Sequence, residues 1–280
     1  MPTPEDKAAR FAALHESGCF ALPNPWDAGS ARMLAALGAK ALATSSAAFA
    51  FTKGLPDGAK ITREQAIDHA AEIDAATALP VNADLEDGYG PEPEHAAETV
   101  RLAIDAGLAG CSIEDADLRN RPSVYPFELA LERIRACVET VRSAGRAFVF
   151  TARADGMLTG AYDLEEAIRR LQAFEAAGAD CLYAPLPPDL EGQRRLCAAV
   201  SKPVNALAAG PLLKTDMSAL AATGARRVSL GSTLARKAHA TILEAAQPLF
   251  EAGSFEGMQG GAAGRKIDAL LAQGAGEDAP

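Results

Sequence analysis

One motif recurs along the chain and restricts the folds that are open to it. A segment with the apolar spacing of a helix ends at a glycine, and a short apolar run that ends in polar residues follows. The glycine suits the left-handed position that closes a helix, and the run has the length of a buried strand. The motif occurs as LGAKALATSS (37–46), AGLAGCSIED (106–115), AGADCLYAP (177–185) and TGARRVSLGS (223–232).

Further runs of the same kind bring the predicted strands to eight: CFALPN (19–24), PVNADLED (80–87), AFVFTARAD (147–155) and PVNALAAG (203–210). Helical patterns lie between them at 62–78, 92–106, 126–143, 163–177, 188–200 and 214–223. This alternation predicts an α/β fold, a closed (β/α)8 barrel of the TIM type. The alternative is an open doubly wound sheet, which normally carries a glycine-rich GxGxxG turn after its first strand. The turn here reads NPWDAGS.

The C-terminal region follows the eighth predicted strand. We predict helices at 233–252 and 262–273, joined by the glycine-rich GSFEGMQGGAAG. We therefore assign residues 1–252 to the barrel and residues 253–280 to a linker, a helix and a frayed tail that belong to the same domain.

Composition excludes several classes of protein. The net charge is −10, and the chain has no run of basic residues, which argues against nucleic acid or an anionic membrane as a partner. No apolar stretch approaches the ~20 residues that span a bilayer, and the N-terminus lacks a signal core. The five cysteines show no CxxC spacing, which predicts reduced thiols in a cytoplasmic protein.

Polar residues collect where the predicted strands end, and active sites of parallel barrels lie at that edge. Cys19, Cys111 and Cys181 instead stand at strand starts, which argues against these cysteines as nucleophiles. The four histidines fall on predicted helices. The strand-end residues are Asn24, Ser45, Ser46, Asp84, Glu86, Asp87, Glu114, Asp115, Arg153, Asp155, Asn205, Ser229 and Ser232.

The period of two in a strand sorts these residues by face. Asn82, Asp84 and Glu86 share one face, and neighbouring strands three and four then bring Asp84 close to Glu114. Carboxylates that converge without a lysine partner call for a hard cation, Mg²⁺ or Mn²⁺. Arg153 either pairs with Glu114 or receives a substrate carboxylate in bidentate fashion.

Other strand-end residues leave alternatives open. Asp87 and Asp115 are either additional acids of the site or N-caps of the helices that follow them. Residues 44–48, TSSAA, form either a plain turn or a segment whose backbone N–H groups bind a carboxylate or an oxyanion.

Taken in order, the motifs resemble the isocitrate lyase/phosphoenolpyruvate mutase superfamily. The resemblance runs from residue 24 to residue 232, almost the whole predicted barrel. It rests on NPWDAGSARMLAALGAKALATSSAAFA, KGLPDG, VNADLEDGYG, CSIEDA, TARAD, KPVNALAAG and RRVSLGS.

The resemblance implies a (β/α)8 barrel whose eighth helix packs on a neighbouring subunit, and thus a homodimer or homotetramer. It implies Mg²⁺ together with a small 2-oxo or 2-hydroxy acid or its phosphono analogue. By position, Asp84 and Glu114 match the metal carboxylates, and Asp57 matches an acid that reaches the metal through water. Glu86 is a possible further ligand.

The resemblance also assigns the substrate contacts. Ser45, Ser46 and Ala47 match the segment that holds the carboxylate and the oxo group, Arg153 matches the carboxylate-binding arginine, and Asn205 matches the pocket wall. We accordingly expect Arg153, with the metal-side acids Asp57 and Glu114, to take part in catalysis.

Two departures from the family pattern shape the expected activity. The stretch after strand four reads DADLRNRPSVYP (115–126) and lacks the KKCGH-like loop of lyases that use a cysteine acid. The metal strand reads ADLEDG, with Asn82 in place of the first aspartate of DADTG. We expect a Mg²⁺-dependent lyase for an oxaloacetate-like acid, with 115–126 as its lid.

Two rival functions remain open. The first is phosphorus–carbon chemistry, as in a phosphonopyruvate hydrolase or a phosphoenolpyruvate mutase, in which Asn120 and Arg121 contact a phosphonyl group. The second is a non-catalytic binder of 2-oxo acids.

Overall fold

A computed structural model describes residues 2–58, 61–120 and 122–276 of the chain. Within these ranges eight strands form one parallel sheet in the order β1-β8-β7-β6-β5-β4-β3-β2. Their bounds are β1 Phe20–Leu22, β2 Leu42–Ala43, β3 Val81–Asp84, β4 Gly110–Glu114, β5 Val149–Arg153, β6 Cys181–Tyr183, β7 Val204–Leu207 and β8 Arg227–Ser229.

Helices alternate with the strands and cover the outside of the sheet, as the sequence pattern predicts. Short 3-10 turns at Gly210–Lys214 and Glu256–Met258 add to them. The helices of the described ranges are α1 Pro4–Leu14, α2 Ala28–Ala36, α3 Ser46–Thr52, α4 Arg63–Ala76, α5 Pro93–Asp105, α6 Phe127–Ser143, α7 Gly156–Thr159, α8 Leu164–Ala177, α9 Leu190–Ala198, α10 Met217–Ala222, α11 Thr233–Ala252 and α12 Gly264–Ala275.

The sheet closes into a barrel between its first and second strands. The N–H of Ala43, in β2, donates to the carbonyl of Pro23, directly after β1, at 3.0 Å. The predicted (β/α)8 barrel is thus confirmed, and the open sheet is excluded.

Local signals in the sequence fix where helices begin and end. The predicted capping box at α4 is present, since the side chains of Thr62 and Gln65 each accept from the other's backbone N–H. Gly178 closes α8 with φ +108°, a left-handed conformation that an L side chain rarely adopts.

The amino end of the barrel is plugged by α1. The rings of Phe11, His15 and Phe20 pack edge to face, with centroids 4.8 to 6.4 Å apart. Phe11 is fully buried. This apolar plug leaves the carboxyl end of the barrel as the open end.

The C-terminal helices lie outside the barrel. In α11 only Ala235 is buried, while the side chains of Ile242 and Phe250 are 60% and 84% exposed. Helix α12 packs on α2, where Gly274 lies against the backbone of Arg32. Large apolar side chains of α11 that lie in solvent agree with the expected packing on a neighbouring subunit, which stays a prediction. In the described part of the chain, no helix has the length and apolarity to span a membrane.

Candidate active site

A cleft of about 910 Å³ opens at the carboxyl ends of the strands. It brings together most of the residues that the sequence singles out, although they come from five separate segments of the chain. Those residues are Ser45, Ser46, Ala47, Asp57, Asp84, Glu114 and Arg153. Asp57 lies on the exposed rim, whereas Glu114 is buried on the floor.

Arg153, the last residue of β5, stands at the centre of the cleft floor. Its Nη1 lies 3.1 Å from Glu114 Oε2 and 3.5 Å from Asp84 Oδ1, and its Nε donates to Asp155 Oδ1 at 2.5 Å. The guanidinium also stacks over the ring of Tyr183 at 5.1 Å. One cation therefore holds three carboxylates, and the local charge is negative.

The pKa values of Glu114 and Arg153 are both raised in this site. Burial, reinforced by Asp155 and Asp84, raises the pKa of Glu114 well above its ordinary value, although Arg153 opposes the shift. Burial by itself lowers the pKa of Arg153, but the carboxylates outweigh it and raise that pKa. A further cation would stabilise the charged form of Glu114, since it would offset the cost of burial.

Asp84 is oriented by the segment that follows β2. Its Oδ2 accepts from both the N–H and the hydroxyl of Ser46, each at 2.9 Å, and its own N–H donates to Thr44 Oγ1 at 2.8 Å. Ser45 caps α3 by accepting from the Ala48 N–H. The stretch 44–48 is thus the start of a helix, and it fixes the acid.

The register between strands differs from the simple expectation. Asp84 lies opposite Ser112, and Glu114 lies opposite Arg153, because the strands of a barrel are staggered. The two acids meet through Arg153 rather than directly. Across residues 2–58, 61–120 and 122–276, no three Asp, Glu, His or Cys side chains form a ready-made metal site.

The alternation of faces in β3 does not extend to Glu86, and its role as a further metal ligand stays a prediction. Strand β3 ends at Asp84, and Glu86 adopts φ +49°, in the left-handed region, so the extended backbone does not continue through it. Glu86 lines a neighbouring cavity of about 770 Å³, together with Asp87, Tyr89 and Arg119.

Asp87 anchors the loop that follows β4. Its carboxylate accepts from the Tyr125 hydroxyl at 2.7 Å and lies 3.2 Å from Arg119 Nη1. It also accepts from the Tyr89 N–H, in a turn of the backbone. Asp87 therefore holds segment 115–126 at two points, Arg119 and Tyr125; Arg121 lies outside the described residues.

Asp115 belongs to the packing behind the site. It accepts from the Asp155 N–H at 2.7 Å, from the Tyr162 hydroxyl at 2.8 Å and from Arg170 at 2.8 Å. Burial raises its pKa to about 6, and Arg170 opposes the shift. Neither Asp87 nor Asp115 caps the next helix, since α5 and α6 begin after Glu92 and Pro126.

Asn205 lies below the cleft, in a chamber of about 40 Å³. Its amide donates to Ser229 Oγ at 2.9 Å, and its Oδ1 accepts from Arg227 Nε at 2.9 Å. Sequence reasoning missed Arg227. The period of two in a strand could have identified it, because Arg227 stands two residues before Ser229 and therefore lies on the same face of β8. Tyr183 was missed in the same way, two residues after Cys181.

The cysteines and histidines stay out of the cleft's described lining. Cys111 and Cys181 are buried at the amino half of their strands, and burial raises the pKa of both thiols. The expectation that neither is a nucleophile agrees with this placement. His15, His69, His95 and His239 lie on or at the end of helices, as expected.

The donor chemistry of the cleft fits a hard divalent ion. Asp84, Glu114 and Asp57 offer only carboxylate oxygens, which Mg²⁺ prefers together with water. The raised pKa of Glu114 marks a place where more positive charge is favourable.

Comparisons with known proteins agree with this geometry. The family model described as phosphoenolpyruvate phosphomutase matches residues 11–250. The chain belongs to this family. It is 30% identical over 240 residues to oxaloacetate decarboxylase of Chromohalobacter salexigens, covering 82% of each protein.

Solved structures lead to the same family. A Burkholderia cenocepacia J2315 protein described only as a lyase or mutase shares 44% identity, with TM-score 0.91 over 96% of both chains. Oxaloacetate acetylhydrolase in complex with oxalate shares 28% identity, with TM-score 0.86 over 97% of this chain and 96% of that one. The resemblance drawn from the motifs is confirmed, and the protein is an enzyme of the isocitrate lyase/phosphoenolpyruvate mutase type.

Proposed function

We propose that this enzyme is a Mg²⁺-dependent lyase that cleaves a C–C bond of, or decarboxylates, a small 2-oxo or 2-hydroxy dicarboxylic acid of the oxaloacetate type. The observation that carries the proposal is Arg153, held between Asp84, Glu114 and Asp155 on the floor of an otherwise open cleft. The relatives that act on oxaloacetate support the substrate class.

Asp84 and Glu114 would hold the ion, with Asp57 in contact through water. Mg²⁺ would supply Lewis-acid charge that favours negative charge on the substrate's 2-oxygen. Ser46 keeps Asp84 Oδ2 fixed, so that Oδ1 faces the cleft beside Arg153.

The chain's own residues bind and orient the acid. The guanidinium of Arg153 has the planar N–H geometry that suits a carboxylate, and here its Nε and Nη2 donate to the two oxygens of Asp155 at 2.5 and 2.9 Å. A substrate carboxylate would take the place of one of the acids that Arg153 now contacts. The first-turn N–H of Ala47 has no acceptor within helix α3, because it precedes the first intrahelical bond. That N–H is available to a substrate oxygen, while segment 115–126 excludes water from above.

Decarboxylation suits the residues of the cleft. The described lining contains neither cysteine nor histidine to act as a general acid for a large leaving group. Loss of CO₂ from a 2-oxo dicarboxylate leaves an enolate that water can protonate, so the reaction needs no such residue.

Phosphorus–carbon chemistry is the second candidate. Two cationic residues near the start of α11, Arg236 and Lys237, also line the cleft. They could contact the end of the substrate that is not bound by Arg153. A phosphonyl group suits such cations, but the distal carboxylate of a dicarboxylate suits them equally.

A product-release assay tests the proposal. A panel of oxaloacetate, 2-methylmalate-type 2-hydroxy acids and phosphonopyruvate is incubated with the enzyme, with and without Mg²⁺, and CO₂, short-chain acids and phosphate are measured. We expect Mg²⁺-dependent release of CO₂ or a short-chain acid. Release of phosphate from phosphonopyruvate alone would replace the lyase proposal by the second candidate.

Two variants connect the activity to the cleft floor. Asp84→Asn and Glu114→Gln should each abolish Mg²⁺-dependent turnover and leave the circular-dichroism spectrum unchanged. The matched control is Asp180→Asn, which removes a carboxylate before β6 at the opposite end of the barrel, where Asp180 accepts from the Phe150 N–H. Near-normal turnover in Asp84→Asn or Glu114→Gln would remove that residue from the ligand set.

A further inference from the structure

The turn after β3 holds its backbone in a conformation that few residues adopt. Tyr89 has φ +63°, in the left-handed region that favours glycine. Its neighbours Gly88 and Gly90 are packed so tightly on Ala96 and His95 that a Cβ at either position would overlap them. The start of α5 therefore imposes the conformation, and Tyr89 is fixed in place.

The hydroxyl of Tyr89 ends in a buried position. Its oxygen is inaccessible to solvent, and among the residues that the structure describes it has no hydrogen-bond partner. Burial raises the pKa of Tyr89 well above its ordinary value, and the charges of Glu86, Asp84, Asp87 and Glu114 add to the shift. The phenol therefore stays protonated and is available as a donor.

A small cavity separates this phenol from the cleft floor. It measures about 10 Å³, close to the least space that one water molecule requires. The polar residues that line it are Thr44, Ser45, Ser46, His69, Asp84 and Tyr89. A tyrosine with a buried, unpartnered hydroxyl and an aspartate line the same water-sized space, and a donor and a carboxylate are the partners that an internal water needs.

We propose that one ordered water occupies this cavity and connects the Tyr89 hydroxyl to the Asp84 carboxylate, which makes Tyr89 a positioning residue for Asp84. The water would add a donor to the two that Ser46 already provides. Groups that hydrogen-bond a ligating carboxylate fix its direction and its affinity for metal. The inference rests on the proposed function, in which Asp84 is a metal ligand.

Substitution of the hydroxyl alone tests the role of Tyr89. Tyr89→Phe keeps the ring, and Mn²⁺ binding without substrate is measured from the electron paramagnetic resonance signal of the free ion. We expect the Mn²⁺ dissociation constant to rise about tenfold, the lower end for loss of an outer-sphere partner. The matched control is Tyr162→Phe, which removes a buried phenol that donates to Asp115; its dissociation constant should stay unchanged.

The outcomes separate this inference from the proposed function. An unchanged dissociation constant in Tyr89→Phe, or an equal rise in Tyr162→Phe, overturns the positioning role. A wild-type enzyme that binds no Mn²⁺ overturns the proposed function instead. A high-resolution crystal structure of the metal-free enzyme then still tests for the water. Electron density for a water within about 2.6–3.2 Å of both the Tyr89 hydroxyl oxygen and an Asp84 carboxylate oxygen supports the proposed bridge. An empty cavity overturns it.

Discussion

His15, at the foot of the barrel, should make the enzyme's stability depend on pH far from the active site. Its Nδ1 lies 2.8 Å from the Phe11 carbonyl, so the ring donates there, and its Nε2 faces Arg227 Nη1 at 3.4 Å. A proton on Nε2 would point at the guanidinium. Burial, and then the charge of Arg227, lower the pKa of His15 to about 3.

The direction of the effect follows from this depressed pKa. Because the unfolded chain takes up the proton near pH 6.5 and the folded protein does not, His15 contributes stability above pH 6.5 that is lost as the pH falls towards 3. Between pH 7 and pH 5 the loss amounts to about 2 kcal/mol. The size of this loss is set almost entirely by the pKa of His15 in the unfolded chain, because the ring in the folded protein is still neutral at pH 5.

Urea unfolding at pH 7 and pH 5 measures this loss in the wild type and in His15→Gln. The glutamine keeps an acceptor near Arg227 but does not titrate. We expect the wild type to lose about 2 kcal/mol more than the variant over this interval, while the exposed His239→Gln behaves as the wild type. Equal losses in wild type and His15→Gln, or an NMR titration of His15 above pH 5, would refute the reasoning.

Two further predictions concern the cleft and the outer helices. Arg153→Lys should raise the KM for the dicarboxylate at least about tenfold in steady-state assays, because an ammonium loses the planar bidentate contact; an unchanged KM would make Arg153 purely structural. Phe250→Asp, on the exposed face of α11, should convert an oligomer into single chains in light scattering with the barrel intact; retention of the wild-type mass would exclude that face from the interface.

The alternation of strands and helices could be predicted because each boundary carries a local signal. Gly178 needs a left-handed conformation, and Thr62 with Gln65 forms a cap, whatever the rest of the chain does. The position of the acids at one rim follows from the same alternation. That part of the site is a consequence of parallel topology, so Asp84 and Glu114 fall into one cleft.

The contacts within the site could not be predicted, because they depend on stagger and on single backbone angles. The barrel's shear places Glu114, not Ser112, opposite Arg153, and no pattern in the sequence encodes that offset. Arg227 was overlooked since an arginine inside a strand of a barrel is unexpected. It is tolerated because Asn205, Thr151 and His15 accept its hydrogen bonds.

The acids of ADLEDG raise an electrostatic question, since three like charges within four residues repel. The chain leaves the extended conformation at Glu86, which has a positive φ, and the three acids have different surroundings. Asp84 faces Arg153, Glu86 lines the neighbouring cavity, and Asp87 pairs with Arg119.

Each acid thus has its own surroundings, and only one faces the cleft floor. A metal ion bound by both Asp84 and Glu114 would lie where the guanidinium of Arg153 now contacts the two carboxylates. Arg153 would then turn its N–H groups towards the carboxylate of the substrate. That carboxylate would replace Asp84 and Glu114 as the negatively charged partner of Arg153. Metal and substrate are therefore expected to bind cooperatively, because each supplies the partner that the other displaces.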